Sequence, residues 1–127
     1  MLCAIRFRPL KEREGRVAWR VDEAEGSVQP SSSGNDAGVE TSSLSQSSSS
    51  SHRPQAFRFD AVFGAERTTE EVYNRVAREI VDGATRGVNG TVFAYGQTSS
   101  GKTFTMQGGS YGAGQRGVLA LAAEQIF

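Results

Sequence analysis

The sequence is poor in the residues that mark secreted and membrane-spanning chains. Its 127 residues include a single cysteine, Cys3, so an internal disulfide is excluded and a reducing intracellular setting is expected. No run of ~18 apolar residues occurs, and the N-terminus lacks the apolar segment of about 7–15 residues that a signal peptide carries. We therefore expect neither a membrane partner nor an oxidising compartment.

An excess of either charge is also missing. The chain has 14 lysines and arginines against 14 aspartates and glutamates, which gives a formal net charge of zero. Without a basic excess, neither nucleic acid nor an anionic membrane is indicated as a partner. The only histidine, His52, lacks the partners that a metal site or an acid–base site needs.

The sequence does contain one motif that is specific for phosphate binding. Residues 96–103 fit the pattern G-x-x-x-x-G-K-[ST] at every fixed position. The two glycines allow backbone turns in which consecutive N–H groups surround an anion. Lys102 supplies a positive charge for the β- and γ-phosphates, and the Thr103 hydroxyl is a ligand for Mg²⁺. The predicted phosphate-binding residues are Gly96, Gln97, Thr98, Ser99, Ser100, Gly101, Lys102 and Thr103.

The flanks of this phosphate loop agree with it. Residues 91–95 are β-branched, aromatic and nearly all apolar, which predicts a strand buried on both faces of a parallel sheet, with Tyr95 packed at its end. Residues 104–106 can continue a helix whose positive N-terminal end faces the loop. A chance match in a glycine- and serine-rich turn is the alternative, and the order strand, loop, helix disfavours it.

A serine-rich stretch divides the chain. Residues 26–54 hold almost no large apolar residue and include five consecutive serines at 47–51. Such a segment cannot bury enough surface to offset its ordering entropy. We predict a disordered insert over residues 26–54 that acts as a spacer, with phosphorylation of its serines as the alternative role.

Regular patterns fill the rest of the chain. Alternation of apolar and polar residues predicts strands over 2–8, 17–21 and 57–63, the last joined to 91–95 by a right-handed β–α–β crossover. Thr68 and Glu71 match a capping box, and the apolar stripe behind them predicts a helix with Gly87 as its C-cap.

Glycine-rich residues 107–117 predict a mobile loop. A second helix is predicted from 118, and without a stop signal before residue 127 we expect the chain to be cut within it.

In this order, the motifs resemble the N-terminal part of a kinesin motor domain. Residues 6–9 are similar to the family's R-x-R-P, residues 57–63 to its F-x-F-D-x-V-F, and residues 89–106 to its N-G-T-[IV]-F-A-Y-G-Q-T-x-[SA]-G-K-T-x-T-M. Residues 16–21, with Trp19, are similar to the centromere-associated kinesin class. The resemblance implies an α/β fold, the P-loop NTPase fold of the kinesin motor type. It would be incomplete here, a partial central sheet with flanking helices, with residues 1–127 as the N-terminal part of the motor domain.

The resemblance also implies cofactors and residue roles. ATP and Mg²⁺ would be bound, with Arg6 and Pro9 sandwiching the adenine and Arg8 supporting them. The phosphate loop would hold the phosphates, and Thr103 the metal. The complete protein would couple ATP hydrolysis to movement along microtubules (tubulin), in the cytoplasm at the cytoskeleton, as a homodimer.

Two motifs of that family are absent from these 127 residues: switch I, N-x-x-S-S-R-S-H, and switch II, D-L-A-G-S-E. They carry the γ-phosphate sensors, so no catalytic residue is assigned and no useful turnover is expected from this piece alone. Two hypotheses stay open. The chain is the N-terminal piece of a microtubule motor ATPase, or it is a truncated, non-motor product that binds nucleotide or has no function. A GTPase is disfavoured because the guanine-reading N-K-x-D does not occur.

Overall fold

Two small sheets and a layer of helices make up the part of the chain that the structure describes. The computed structural model describes residues 1–11, 17–31, 55–109 and 114–127. The strands are β1 (Ala4–Arg6), β2 (Trp19–Asp22), β3 (Ser27–Pro30), β4 (Phe57–Arg58) and β5 (Ala61–Phe63). The helices are α1 (Thr69–Val72), a π-helical segment (Tyr73–Ala77), α2 (Arg78–Thr85), α3 (Lys102–Gln107) and α4 (Val118–Ile126). None of the helices in these ranges has the length and hydropathy to cross a membrane.

The strand predicted over 57–63 is divided between two sheets. β4 pairs with β3 in the antiparallel sheet β2-β3-β4, whereas β5 pairs with β1 in parallel, with Ile5 opposite Val62. The backbone changes partner at one step: the Phe59 N–H donates to the Gly26 carbonyl at 2.9 Å and the Asp60 N–H to the Cys3 carbonyl at 2.9 Å. The predicted single strand was wrong, because its two halves satisfy their hydrogen bonds on different neighbours.

The β2–β3 hairpin corrects the boundary predicted for the serine-rich insert. Residues 27–30 lie inside the range predicted to be disordered, yet they form β3 between β2 and β4. Val28 is only 2% exposed and lies opposite Val21 and Phe57. Pairing with a strand on each side, together with the burial of Val28, orders four residues whose composition is that of a linker. Residues 32–54 of the predicted insert lie outside the described residues.

The helix predicted between Thr68 and Gly87 begins and ends where the sequence predicts, at the start of α1 and the end of α2. The Glu71 N–H donates to Thr68 Oγ1 at 3.2 Å and the Thr68 N–H donates to Glu71 Oε2 at 2.7 Å, so the capping box is confirmed. At the C-terminal end of α2, the Gly87 N–H donates to the Ala84 carbonyl and the Val88 N–H donates to the Gly83 carbonyl. Gly87 itself has φ +84°. This is a Schellman ending.

A π-helical turn interrupts the predicted apolar stripe. The stripe assumed one uniform helix, but the structure places five π-helical residues, Tyr73–Ala77, between α1 and α2. Tyr73 and Ala77 are buried there, in a cluster with Val118 and Leu121 of α4. The wider π-helical turn shifts the apolar face of the helix, so that Tyr73 and Ala77 both pack against α4. A second cluster joins Ala61 and Phe63 of β5 to Val72 of α1.

Residues 91–95 belong to no sheet among the described residues, so the prediction of a strand buried on both faces was wrong. One side of the segment packs on helices, since Val92 contacts the cluster of Tyr73 and Val118. The other side faces outward, with Phe93 76% and Tyr95 95% exposed. The segment therefore adds no strand to the parallel pair of β1 and β5, and the predicted β–α–β crossover does not close.

Candidate functional site

The structure brings the R-x-R-P residues and the phosphate loop to one cavity of about 330 Å³. A volume of this size lies in the range of small-molecule sites, which starts at about 300 Å³. The predicted site residues that line it are Arg6, Arg8, Pro9, Gly96, Ser100, Gly101 and Lys102. Gln97, Thr98, Ser99 and Thr103 do not line it, and all four are exposed. The two motifs, separated by about 90 residues in sequence, thus meet because β1 ends beside the start of α3.

The loop's backbone requires glycine at its first position. Gly96 has φ +155°, and a Cβ built there would lie 2.5 Å from Ser100 Oγ. A side chain would therefore fill the concave side of the turn, which is the space that an anion needs. Ser99 has φ +65°, the only positive value of a non-glycine residue in the described ranges. Left-handed backbone at a serine costs of order 1 kcal/mol and is concentrated at functional sites.

Lys102 holds its ammonium group over the loop. Its Nζ donates to the Gly96 carbonyl at 2.8 Å and to the Gln97 carbonyl at 2.7 Å. An ammonium has three donors, so one remains for a further acceptor while the stem stays in place. The positive charge is thus fixed at the cavity by the loop itself, where it can meet a phosphate.

Arg6 is a partly buried charged group of the cavity. Its Nη1 donates to Thr69 Oγ1 and to Thr105 Oγ1, each at 3.0 Å, and its Nη2 donates to the Arg67 carbonyl at 3.1 Å. Its guanidinium carbon lies 5.6 Å from the centre of the Phe104 ring, a cation–π distance. Partial burial lowers the pKa of Arg6, although an arginine stays protonated.

Two aromatic residues of the cavity differ from the sequence prediction. Phe104 lines it, beside Pro9, and sequence reasoning missed it because a phenylalanine in a helix is typical of core. Its position directly after Thr103 was the available signal. Tyr95 was predicted to pack at a strand end, yet it lines the cavity and is almost fully exposed.

The fit to Mg²⁺ rests on one protein oxygen, the hydroxyl of Thr103, which does not itself line the cavity. In the described part of the chain, no group of three or more His, Cys, Asp or Glu side chains could hold a metal by itself. Thr103 offers an exposed hydroxyl in the first turn of α3, next to Lys102. Mg²⁺ commonly takes one or two protein oxygens and completes its shell from substrate phosphates and water.

Comparisons with known proteins agree with this geometry. The kinesin motor domain family matches residues 6–127. The chain is 41% identical to kinesin-like protein KIN-7G of Oryza sativa subsp. japonica, over 98% of this chain and 12% of that protein. It is 40% identical to kinesin-related protein 4 of Dictyostelium discoideum, over 98% of this chain and 5% of that protein. It is 50% identical to kinesin-like protein KIF3C of Bos taurus over 74 residues, 58% of this chain and 9% of that protein.

The chain thus spans about an eighth or less of the length of these relatives. The match runs through both motifs that line the cavity and through the helices between them. Kinesin motor domains are microtubule motors with the P-loop NTPase fold, and the partial sheet with flanking helices is consistent with part of that fold. On the family match and the identity along nearly its whole length, the chain belongs to the kinesin motor domain family.

Proposed function

We propose that this chain binds ATP with Mg²⁺, and that the protein to which it belongs hydrolyses ATP to move along microtubules. The observation that carries the proposal is the single cavity shared by Arg8, Pro9 and the phosphate loop. A base-binding end and a phosphate-binding end on one cavity are what a nucleoside triphosphate needs. Family membership supports the motor activity of the complete protein.

The phosphates are assigned to the loop. Lys102 is already held by two carbonyls, so an arriving phosphate gains a charge-assisted hydrogen bond without ordering a free side chain. The other proposed phosphate contacts are Gly96, Gln97, Thr98, Ser99, Ser100, Gly101 and Thr103. Thr103 is the proposed Mg²⁺ ligand, and the metal would neutralise charge between the β- and γ-phosphates.

The adenine is assigned to the other end of the cavity. Arg8 Nη1 donates to the Pro9 carbonyl at 3.0 Å, which holds the two residues together at the wall. Arg6 lines the same wall. With the base placed there, residues 1–127 act as the nucleotide-binding N-terminal part of a motor domain.

For the 127 residues alone, we propose binding without brisk turnover. The sequence contains neither switch motif, so the groups that sense the γ-phosphate in the family have no counterpart in it. The alternative, a non-motor nucleotide-binding product, is favoured by the same observation. For the complete protein we propose a homodimer at microtubules in the cytoplasm, on the support of the family alone.

The test is titration of a fluorescent ATP analogue, with Mg²⁺, into the chain and into Lys102→Ala. We expect saturable binding that weakens at least about tenfold in the variant, because a charge-assisted contact to phosphate is lost. Arg58→Gln, an exposed arginine on β4, is the control for loss of a positive charge. Equal binding by both proteins would overturn the loop assignment. Microtubule-stimulated ATPase activity in the 127-residue chain would overturn the proposal of binding without turnover.

A further inference from the structure

Arg6 connects three elements of the fold through its side chain. It lies at the end of β1, and its guanidinium reaches Thr69 in the first turn of α1 and Thr105 in α3. Both hydrogens of Nη1 are used by these two hydroxyls, and Nη2 donates to the Arg67 carbonyl just before α1. Three of its five N–H donors are thus directed to the protein itself.

One face of the guanidinium is also occupied. The Phe104 ring lies 5.6 Å from the guanidinium carbon, and Phe104 follows Thr103 in α3. α3 carries the last residues of the phosphate loop at its start, and the Thr105 N–H donates to the Gly101 carbonyl at 2.9 Å. A group that holds Thr105 and Phe104 therefore sets where Gly101, Lys102 and Thr103 lie.

We propose that Arg6 is a positioning residue that fixes the phosphate-loop helix against β1 and α1, and that it makes no adenine contact. This inference rests on the proposed function, since it concerns the same nucleotide site. Adenine contact at the R-x-R-P segment then falls to Arg8 and Pro9. Because Arg6 is partly buried and its donors meet hydroxyl and carbonyl oxygens, turning it toward a base would leave Thr69 and Thr105 without this partner.

The two roles predict different effects of Arg6 substitutions on the binding of a ligand that lacks a base. Binding of MgATP and of Mg-pyrophosphate is measured by calorimetry for the wild-type chain, Arg6→Met, Arg6→Lys and Thr105→Val. If Arg6 positions the loop, Arg6→Met weakens both ligands by a similar factor, about tenfold, as expected for the loss of roughly one well-placed interaction. Arg6→Lys recovers part of the loss, because a lysine keeps the cation over Phe104. If Arg6 contacts adenine, MgATP weakens and Mg-pyrophosphate does not, which overturns the proposal.

Thr105→Val tests the same hydrogen bond by removing the hydroxyl that accepts it from Arg6. We expect it to weaken both ligands, and the double variant with Arg6→Met to bind no worse than Arg6→Met alone, because the two substitutions remove the same contact. Strictly additive losses would show that Arg6 does not act through Thr105. Arg58→Gln is again the matched control, with both affinities unchanged.

Amide hydrogen exchange in the ligand-free chain decides the question even if neither ligand binds the wild type, a result that would overturn only the proposed function. The Thr105 and Gly108 N–H groups, bonded to Gly101 and Phe104, report on α3. Arg6→Met should speed their exchange about tenfold while the β2–β3 ladder keeps its protection. Faster exchange throughout would mean that Arg6 only stabilises the fold. Unchanged exchange in α3 would mean that it positions nothing there.

Discussion

The β2-β3-β4 sheet and the segment 91–95 contain similar residues in opposite surroundings. Both are short and combine valine with aromatic residues. In the sheet, Val28 is 2% exposed and the Trp19 ring meets the Phe57 ring edge-on at 6.2 Å between centres. In the segment, Phe93 is 76% exposed and no ladder forms. Strand propensity is thus realised only where a neighbouring strand is available.

The difference follows from distance along the chain. β2 and β3 are joined by a four-residue turn, so their pairing has a small loop-closure cost. A central strand of a parallel sheet requires neighbours that arrive through crossover connections. The strands of the hairpin therefore find each other locally, whereas residues 91–95 present an apolar side that lacks a neighbouring strand within the described ranges.

The same charge placed in each region should give the largest contrast. Val28→Asp buries a carboxylate between Val21 and Phe57, so we expect a loss of more than about 4 kcal/mol in the free energy of unfolding. Phe93→Asp lies on the exposed side and should cost less than about 0.5 kcal/mol. Urea unfolding followed by Trp19 fluorescence measures both. A large loss in Phe93→Asp would show that this side is covered in solution.

The start of α1, which lies between the two regions in sequence, should give an intermediate effect. Thr68→Ala removes the hydroxyl that accepts the Glu71 N–H, and we expect a loss of about 1 kcal/mol. Thr85→Ala is the matched control, since its hydroxyl donates to the Asp82 carbonyl at the opposite end of the helix, and it should cost less than about 0.5 kcal/mol. Equal losses in the two threonine variants would contradict the capping assignment.

The smallest effect should come from the ion pair that joins the hairpin turn to the start of the helix. Arg67 donates to Glu23 at 2.6 Å and to Glu71 at 2.8 Å, while the Gly64 N–H donates to Glu23 at 2.7 Å. The hydrogen bonds from Arg67 and Gly64 lower the pKa of Glu23, and those from Thr68 and Arg67 lower the pKa of Glu71. Because these carboxyls have lower pKa values when folded, they stabilise the fold above their ordinary pKa.

This stabilisation is lost as the pH falls through the lowered pKa values. We expect the Tm of the wild type to decline on acidification from neutral pH to about pH 3, and that of Arg67→Gln to decline less steeply. The effect is small because the side chains are exposed. Glu25→Gln changes a carboxyl on the same turn without touching Arg67, and its profile should follow the wild type. Identical slopes in wild type and Arg67→Gln would contradict the assignment.

Features that depend on a few consecutive residues could be predicted from the sequence. The capping box at Thr68 and the helix start after Gly101 are local, and both are confirmed. The strand at 27–30 could not be predicted, because only Val28 in it is apolar and its partners lie on β2 and β4. The division of residues 57–63 between two sheets could not be predicted for a similar reason, because Asp60 forms a hydrogen bond with Cys3, 57 residues away.

The candidate site shows the same limit. The spacing of glycine, lysine and threonine predicted the loop, and the R-x-R-P pattern predicted which residues would meet it, but sequence alone could not say what each side chain touches. The contacts of Arg6 with Thr69 and Thr105 bridge 63 and 99 residues. Phe104 lines the cavity together with Arg6 of β1, whose side chain reaches α3. Each of these depends on tertiary packing.

The base of the glycine-rich loop also limits how its length can vary. Gly108 and Arg116 form a β-bridge, the Gly109 N–H donates to the Gln115 carbonyl, and Arg116 pairs with Glu70 of α1 and with Glu124 of α4. Since Gly108 and Arg116 are already joined, residues inserted between Gly109 and Gly114 would leave α3 and α4 where they are. Doubling the length would cost only about 0.6 kcal/mol in closure entropy. This stretch of sequence is thus a natural place for divergence, or for an engineered graft, that leaves the two flanking helices unchanged.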